Sequence, residues 1–330
     1  MIDRISVIGA GAWGTALTVL AARAECRVAL WARRPELAAE LKAARENATY
    51  LPGVRLEPSL GIVDDFARAL DASAVIYAQP AQHFRDFCRQ AAPHWRAGAA
   101  LVIAAKGIEC GTGALLNEIA AELLPAVAVT ILSGPSFAAE AARGLPTAVA
   151  IAGSRSDLVE GLMAALAHGA FRPYGSDDPI GVEVAGAVKN VLAIACGIVL
   201  GRGLGENARA ALITRGLAEV TRLALAKGGR AETLMGLAGI GDLILTCTSL
   251  KSRNTSLGYE LGQGKRLADI LASRRSVAEG VSTAQAVSAL ATAIGVEMPI
   301  AAAVHRILSD QTVIDDEIKG LLARPLKHEI

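Results

Sequence analysis

Aromatic residues are scarce in this chain. They make up 4% of its 330 residues, with 3 tryptophans, 4 tyrosines and 5 phenylalanines. The core must then be built from Ala, Val, Leu and Ile, the composition of a buried parallel sheet with closely set helices. Cysteine is equally sparse. Cys26, Cys88, Cys110, Cys196 and Cys247 are odd in number and widely spaced. That excludes a disulfide framework, and no Cys-x-x-Cys or Cys/His pattern offers a metal site. Reduced, buried thiols of a cytoplasmic protein are the reading. An excess of charge is missing too. The formal net charge is +1, with both signs interspersed, which argues against nucleic acid or an acidic membrane surface as the main partner. Although the mean hydropathy is +0.40, the apolar span from Val191 to Gly201 is too short to cross a bilayer. Lys189, Asn190 and Arg202 flank it closely. Met1 to Ile5 carries no basic segment before an apolar one, so no signal peptide is expected.

What is present is an alternation. Residues 4–8, 27–31, 75–78, 100–105 and 127–132 read as short buried strands, with helical patterns at 15–23 and 35–44 between the first of them. Residues 147–152 offer one more strand, closing the domain. Asn47 to Gly53 reads as a loop, with Pro52-Gly53 as its turn signal. This order predicts a parallel α/β sheet whose ligands lie beyond the carboxyl ends of the strands. Gly9, Lys106 and Gly134 all fall at that edge. After about residue 180 the alternation stops. Helical patterns follow at about 180–201, 207–227, 231–238, 255–262, 267–272, 282–294 and 299–309. The expected organisation is a Rossmann-like dinucleotide-binding domain over residues 1–180 and an all-helical substrate domain over 181–330. The domains should pack tightly, since no low-complexity linker separates them. Residues 324–330 read as a loosely held tail.

Gly9-Ala10-Gly11-Ala12-Trp13-Gly14 lies between the first strand and the first helix. Gly9 permits a tight turn, Gly11 lets the backbone approach a pyrophosphate, and Gly14 allows close helix–strand packing. The helix N-terminus favours the anion. A strand followed by this motif and a helix specifies a dinucleotide. The second strand ends Trp31-Ala32-Arg33-Arg34, with no carboxylate before Glu36. Two arginines there suit a 2′-phosphate, which favours NADPH over NADH. A solvated pair of surface arginines is the bland alternative.

Val184 to Ala193 is an apolar, small-residue helix pattern carrying one lysine, Lys189. Ala185, Gly186 and Ala193 share its face and leave room for a ligand beside the ammonium. A positioned lysine supplies the proton that ketone reduction needs at oxygen. Pairing with Glu183 would make it merely structural. Asp242 follows Gly239-Ile240-Gly241 and opens an apolar run, where a carboxylate needs a partner. It either orients Lys189 or caps a helix, or does both. Ser252-Arg253-Asn254 forms a polar loop opening a helix, the setting for an anionic substrate held by a two-pronged guanidinium. Lys106 could reach substrate or cofactor, and Gly134 and Ser136 could line the same pocket.

These motifs together resemble the bacterial NAD(P)-dependent glycerol-3-phosphate dehydrogenase family. The resemblance runs in order from Gly9–Ala16 through Asn47-x-x-Tyr50-Leu51-Pro52, Ala105–Glu109, Ser133–Ala138 and Lys189-Asn190. It continues through Ala238–Leu243, Thr246-Cys247, Ser252–Asn254 and Val277-x-Glu279-Gly280. It implies reversible reduction of dihydroxyacetone phosphate to sn-glycerol 3-phosphate, the backbone precursor of phospholipids. It further implies that Lys189 exchanges the proton, and that Lys106, Gly134, Ser136, Asp242, Ser252, Arg253 and Asn254 bind substrate. Trp13, Arg33, Arg34, Lys106, Ala138, Arg253, Val277 and Glu279 are implied to contact the cofactor. Members are soluble, cytoplasmic and commonly dimeric. One segment departs from the family. Many members carry a Val-Pro-Ser type turn after the 75–78 strand, where this chain has Gln79-Pro80-Ala81, a loop expected beside the nicotinamide. The rival readings are a β-hydroxyacid dehydrogenase of related architecture and a nucleotide sensor without turnover. The Gly241-Asp242-Leu243 to Ser252-Arg253-Asn254 segment disfavours the first, and a lysine set up as a proton donor disfavours the second.

Overall fold

The computed structural model describes residues 2–274, 278–326 and 328. Its first half alternates as the sequence predicts: β1 (Arg4–Ile8), α1 (Ala12–Arg23), β2 (Arg27–Trp31) and α2 (Pro35–Ala44). A hairpin, β3 (Glu46–Asn47) and β4 (Leu51–Arg55), occupies the segment expected to be a loop. The chain continues through β5 (Gly61–Val63), α3 (Phe66–Ala69), β6 (Ala74–Tyr77), α4 (Phe84–Ala91), β7 (Ala100–Ile103) and α5 (Leu116–Leu123). It then runs through β8 (Ala128–Ser133), α6 (Ala138–Ala142), β9 (Thr147–Ala152), α7 (Ser156–Leu166) and β10 (Phe171–Ser176).

The main sheet has 8 strands in the order β10-β9-β8-β7-β6-β1-β2-β5. Ile8 lies level with Trp31 on one side and Tyr77 on the other. The order therefore reverses at β1, and a crevice opens where β1 and β6 end. The sheet is not parallel throughout, because β9 runs antiparallel to β8. The link between them holds only the 5-residue α6, too little for a helical crossover to a parallel neighbour. β9 also does not close the sheet. β10 adds a further edge strand, a place that tolerates Pro173.

Leu17, Leu20, Leu30 and Ile76 belong to the core on one face of this sheet. The other face gathers the scarce aromatics: Trp31 meets Phe66 edge-on at 5.2 Å, and Tyr77 meets Phe84 at 4.8 Å. Such pairs add specificity to area burial.

The second half is helical. α8 (Pro179–Gly201) is its axis, followed by α9 (Glu206–Ala226), α10 (Ala231–Leu234), α11 (Asp242–Cys247), α12 (Arg253–Gly262) and α13 (Leu267–Ala272). α14 (Glu279–Ala293), α15 (Pro299–Leu308) and α16 (Ile314–Leu322) complete it. α8 is long and apolar enough to cross a membrane by length and composition, yet 89% of its most apolar window is buried inside the fold. Its neighbour α12 approaches it backbone to backbone. A Cβ on Gly197 would run into the Thr255 carbonyl, and one on Gly258 into that of Ile194. α11 and α16 lie outside the expected helical patterns. α11 is only 6 residues long; α16 carries an apolar stripe, Ile314, Ile318 and Leu321, but buries none of its residues fully.

Candidate active site

Lys189 sits midway along α8 and is 8% exposed. Its Nζ donates to Asp242 Oδ1 at 2.5 Å and to Thr246 Oγ1 at 2.9 Å. An ammonium has three hydrogens, so one is left for a ligand. Asp242, 1% exposed, has a second cation: Lys106 Nζ donates to its Oδ2 at 2.6 Å. Lys106 also donates to the Gly134 carbonyl at 3.3 Å. One buried carboxylate thus bridges two lysines carried by different halves of the chain.

The charges set the proton affinities. Burial drives the Lys189 ammonium down, with Asp242 pulling it back up and Lys106 pushing it down, to about 8. For Asp242, burial works upward, and the ammonium groups of Lys106 and Lys189 together outweigh it, so its carboxyl lies below the usual range. The site thus brings the Lys189 ammonium toward neutral pH while Asp242 stays ionised.

The backbone explains how Asp242 arrives there. Leu237–Gly241 is a kinked turn leading into α11, with non-helical backbone at Gly239 (φ −88°, ψ −107°). A Cβ on Gly239 would collide with the backbone of Leu234. Asp242 then opens α11 without capping it, so pairing, not capping, accounts for its side chain. Glu183 is not the partner of Lys189. Its carboxylate accepts the backbone N–H groups of Leu116 (2.6 Å) and Asn117 (3.3 Å) at the start of α5. Thr246, one turn after Asp242 on α11, belongs to the Thr246-Cys247 motif, but the sequence gives it no role. The i, i+4 spacing that puts both on one face was its signal.

The small residues near Lys189 serve a purpose beyond ligand space. A Cβ on Gly186 would come within 2.7 Å of Ser133 Oγ and 3.7 Å of Lys106 Cγ. Gly186 thus lets the end of β8 and the Lys106 stem cross α8. Gly134, at φ +150°, turns the chain after β8, and Ser136 Oγ donates to its carbonyl at 2.9 Å.

Ser252 caps α12, accepting the Thr255 N–H at 3.2 Å. The Asn254 carboxamide donates to Asn190 Oδ1 at 2.9 Å and accepts the Gly280 N–H at 3.0 Å. Both side chains are engaged within the protein. The donors this loop directs outward are the exposed Arg253 guanidinium and the first-turn N–H groups of Arg253 and Asn254, which have no intrahelical acceptor. Glu279 opens α14 beside Arg253, Lys106 and Lys189. Its Oε2 is buried without a hydrogen bond, and burial pushes its carboxyl up to about 7 against those three cations. Val277 lies outside the described residues.

The dinucleotide motif stands at the sheet edge. Gly9 takes φ +119°, and a Cβ there would press on Gln79 Cγ at 2.8 Å. Gly14 admits no Cβ because the Gly9 carbonyl touches it, whereas a Cβ on Gly11 would meet nothing within 4 Å. Gly11 begins α1 without any side-chain cap, so the N–H groups of Ala12, Trp13 and Gly14 face an open space as an anion site requires. Trp13 Nε1 is buried with no partner. Arg33 and Arg34 are exposed just beyond β2, with Arg34 Nη2 3.5 Å from the Tyr50 hydroxyl. Ala138 is the first residue of α6 and packs with the α1 core. Uncapped donors, open space and an orphaned indole N–H fit a bound dinucleotide.

Comparison with known proteins agrees with this geometry. The sequence model for the N-terminus of NAD-dependent glycerol-3-phosphate dehydrogenase matches residues 4–159, and that for its C-terminus matches residues 178–319. The chain is 55% identical to a glycerol-3-phosphate dehydrogenase (NAD(P)+) of Rhodospirillum rubrum, across 100% of this chain and 95% of that one. It is 54% identical to that of Parvibaculum lavamentivorans, across 99% and 98%. The crystal structure of glycerol-3-phosphate dehydrogenase from Coxiella burnetii superposes with a TM-score of 0.94 at 40% identity, covering 98% of this chain and 99% of that one.

Proposed function

The chain belongs to the NAD-dependent glycerol-3-phosphate dehydrogenase family, and on that premise we propose how its residues run the reaction. The reaction is the reversible, NAD(P)H-dependent reduction of dihydroxyacetone phosphate to sn-glycerol 3-phosphate. The observation that carries the assignment of roles is the Lys189–Asp242–Lys106 bridge, with one Lys189 hydrogen uncommitted.

The Gly9–Gly14 turn would hold the cofactor by its pyrophosphate, and the cofactor when bound would supply the hydride that reduces the substrate carbonyl carbon. Lys189 gives its free proton to the carbonyl oxygen and takes it back when the alcohol is oxidised. Asp242 and Thr246 hold the ammonium so that this hydrogen alone faces the substrate. A lysine near 8 suits a donor that must also act as acceptor. Lys106 keeps a hydrogen for a substrate oxygen, in a wall completed by Gly134 and Ser136. Arg253 and the amides of Arg253 and Asn254 hold the phosphate, with Ser252 fixing the helix start. The amides of Ala12, Trp13 and Gly14 hold the cofactor pyrophosphate. Arg33 and Arg34 take a 2′-phosphate, so NADPH is preferred to NADH. Ala138, Arg253 and Glu279 line the rest of the cofactor path.

We assign the dinucleotide role to residues 1–180 and the substrate role to 181–330. The working form is a cytoplasmic homodimer that supplies glycerol 3-phosphate to phospholipid synthesis. The test is loss of reduced-nicotinamide absorbance with dihydroxyacetone phosphate, run with NADPH and with NADH. Rapid oxidation of NADPH and slower oxidation of NADH supports the whole reading. Faster oxidation of NADH removes the arginine assignment. No turnover by folded protein removes the reaction.

A further inference from the structure

Asn47-x-x-Tyr50-Leu51-Pro52 has no part in the roles assigned so far, yet Asn47 is 1% exposed and fully engaged. Its Nδ2 donates to the Ala10 carbonyl at 3.0 Å and to Thr15 Oγ1 at 2.7 Å. Its Oδ1 accepts the Tyr50 N–H at 3.2 Å. The β3–β4 hairpin is thereby fastened under the glycine-rich turn. Rotation of the Ala10–Gly11 peptide changes ψ of Ala10 and φ of Gly11, and glycine at the second place lowers its steric cost. In a trans peptide the carbonyl oxygen and the following N–H point in opposite directions. Holding the Ala10 oxygen toward Asn47 aims the Gly11 N–H the opposite way. The surroundings of Gly11 leave room for a ligand, since a Cβ there would meet nothing within 4 Å. No acceptor among the described residues takes that N–H.

We propose that Asn47 is a positioning residue for the cofactor: it fixes the Ala10–Gly11 peptide so that the Gly11 N–H faces the pyrophosphate. The inference rests on the turn at residues 9–14 being the cofactor site. It acts through backbone orientation and touches neither the adenosine nor the nicotinamide end. Loss of the Asn47 donors frees the peptide to turn its carbonyl toward the phosphates, replacing an attraction by a repulsion.

The test is calorimetric titration of the whole enzyme with NADPH and with 2′-AMP, which carries the adenosine 2′-phosphate but no pyrophosphate. Parent, Asn47→Leu and Asn47→Asp are compared. The second variant keeps an acceptor for Tyr50 and replaces the donors by a carboxylate, so it tests their loss even where leucine disturbs the hairpin, while the uncharged leucine tests it without an added negative charge. In both variants the Kd and KM for NADPH rise about tenfold. The 2′-AMP affinity, and kcat and the KM for dihydroxyacetone phosphate at saturating NADPH, stay within about twofold. NADPH affinity unchanged in Asn47→Asp, or NADPH and 2′-AMP weakened equally, overturns the proposal. A parent enzyme that binds no NADPH overturns the cofactor reading itself.

Discussion

At the scale of single residues, three charges, Lys189, Asp242 and Lys106, share one site. Because Lys189 must be protonated to donate, kcat/KM for dihydroxyacetone phosphate reduction falls as pH rises through about 8. Glycerol 3-phosphate oxidation, which needs the neutral amine, rises over the same range. The neighbours shift this limb in opposite senses. Asp242 raises the Lys189 affinity for its proton and Lys106 lowers it. Asp242→Asn therefore moves the limb to lower pH and Lys106→Met moves it to higher pH, beside a loss of turnover in both. Initial-rate pH profiles of the variants check the signs, and parallel shifts in one direction would contradict them. The sequence made Lys189 and Asp242 legible, because an isolated lysine and an isolated carboxylate in apolar runs each demand a partner. It did not reveal that Lys106 shares Asp242, since the two lie 136 residues apart and the bond exists only once the two halves are folded together. Nor did it show that the Ser252 and Asn254 side chains are spent on a cap and a cross-link.

At the scale of elements, glycine decides how closely helices and strands approach. α8 and α12 meet at Gly197, Gly201, Gly258 and Gly262, where an added Cβ would enter the backbone of the opposite helix. Gly258→Ala should cost about 1–3 kcal/mol or more, the usual penalty of overpacking. Because α12 also carries Arg253 at its start, the KM for dihydroxyacetone phosphate should rise as well. Urea unfolding and steady-state kinetics on the same preparation measure both, and a variant as stable as the parent contradicts the packing argument. The periodicity of the long elements was readable: α8 and α9 fall within one residue of their expected limits at each end. Short elements were not. The β3–β4 hairpin pairs only a few residues and takes its stability from Asn47 and Glu46 contacts, which no local pattern encodes. The antiparallel entry of β9 is likewise fixed by the length of its connection and not by its own residues.

At the scale of the whole molecule, the two lysines that share Asp242 come from different halves of the chain. Lys106 follows β7 of the sheet, and Lys189 belongs to the helical half. Substrate selectivity should follow from the same arrangement. Dihydroxyacetone, which lacks the phosphate, should be reduced with a kcat/KM lower by at least about 10²-fold, since it leaves Arg253 and the α12 amides without their anion. Arg253→Ala should remove most of that discrimination, and equal use of both ketones by the parent enzyme contradicts the phosphate role.

The central claim is that Lys189 carries the proton of the reaction and does not merely support the fold. The most direct measurement is kcat for dihydroxyacetone phosphate reduction by Lys189→Ala, alongside its NADPH affinity by titration. The account predicts that kcat falls by about 10²–10⁴-fold while the Kd for NADPH stays within about twofold. A variant that keeps most of its turnover would contradict it, and so would one that loses NADPH binding in step with activity.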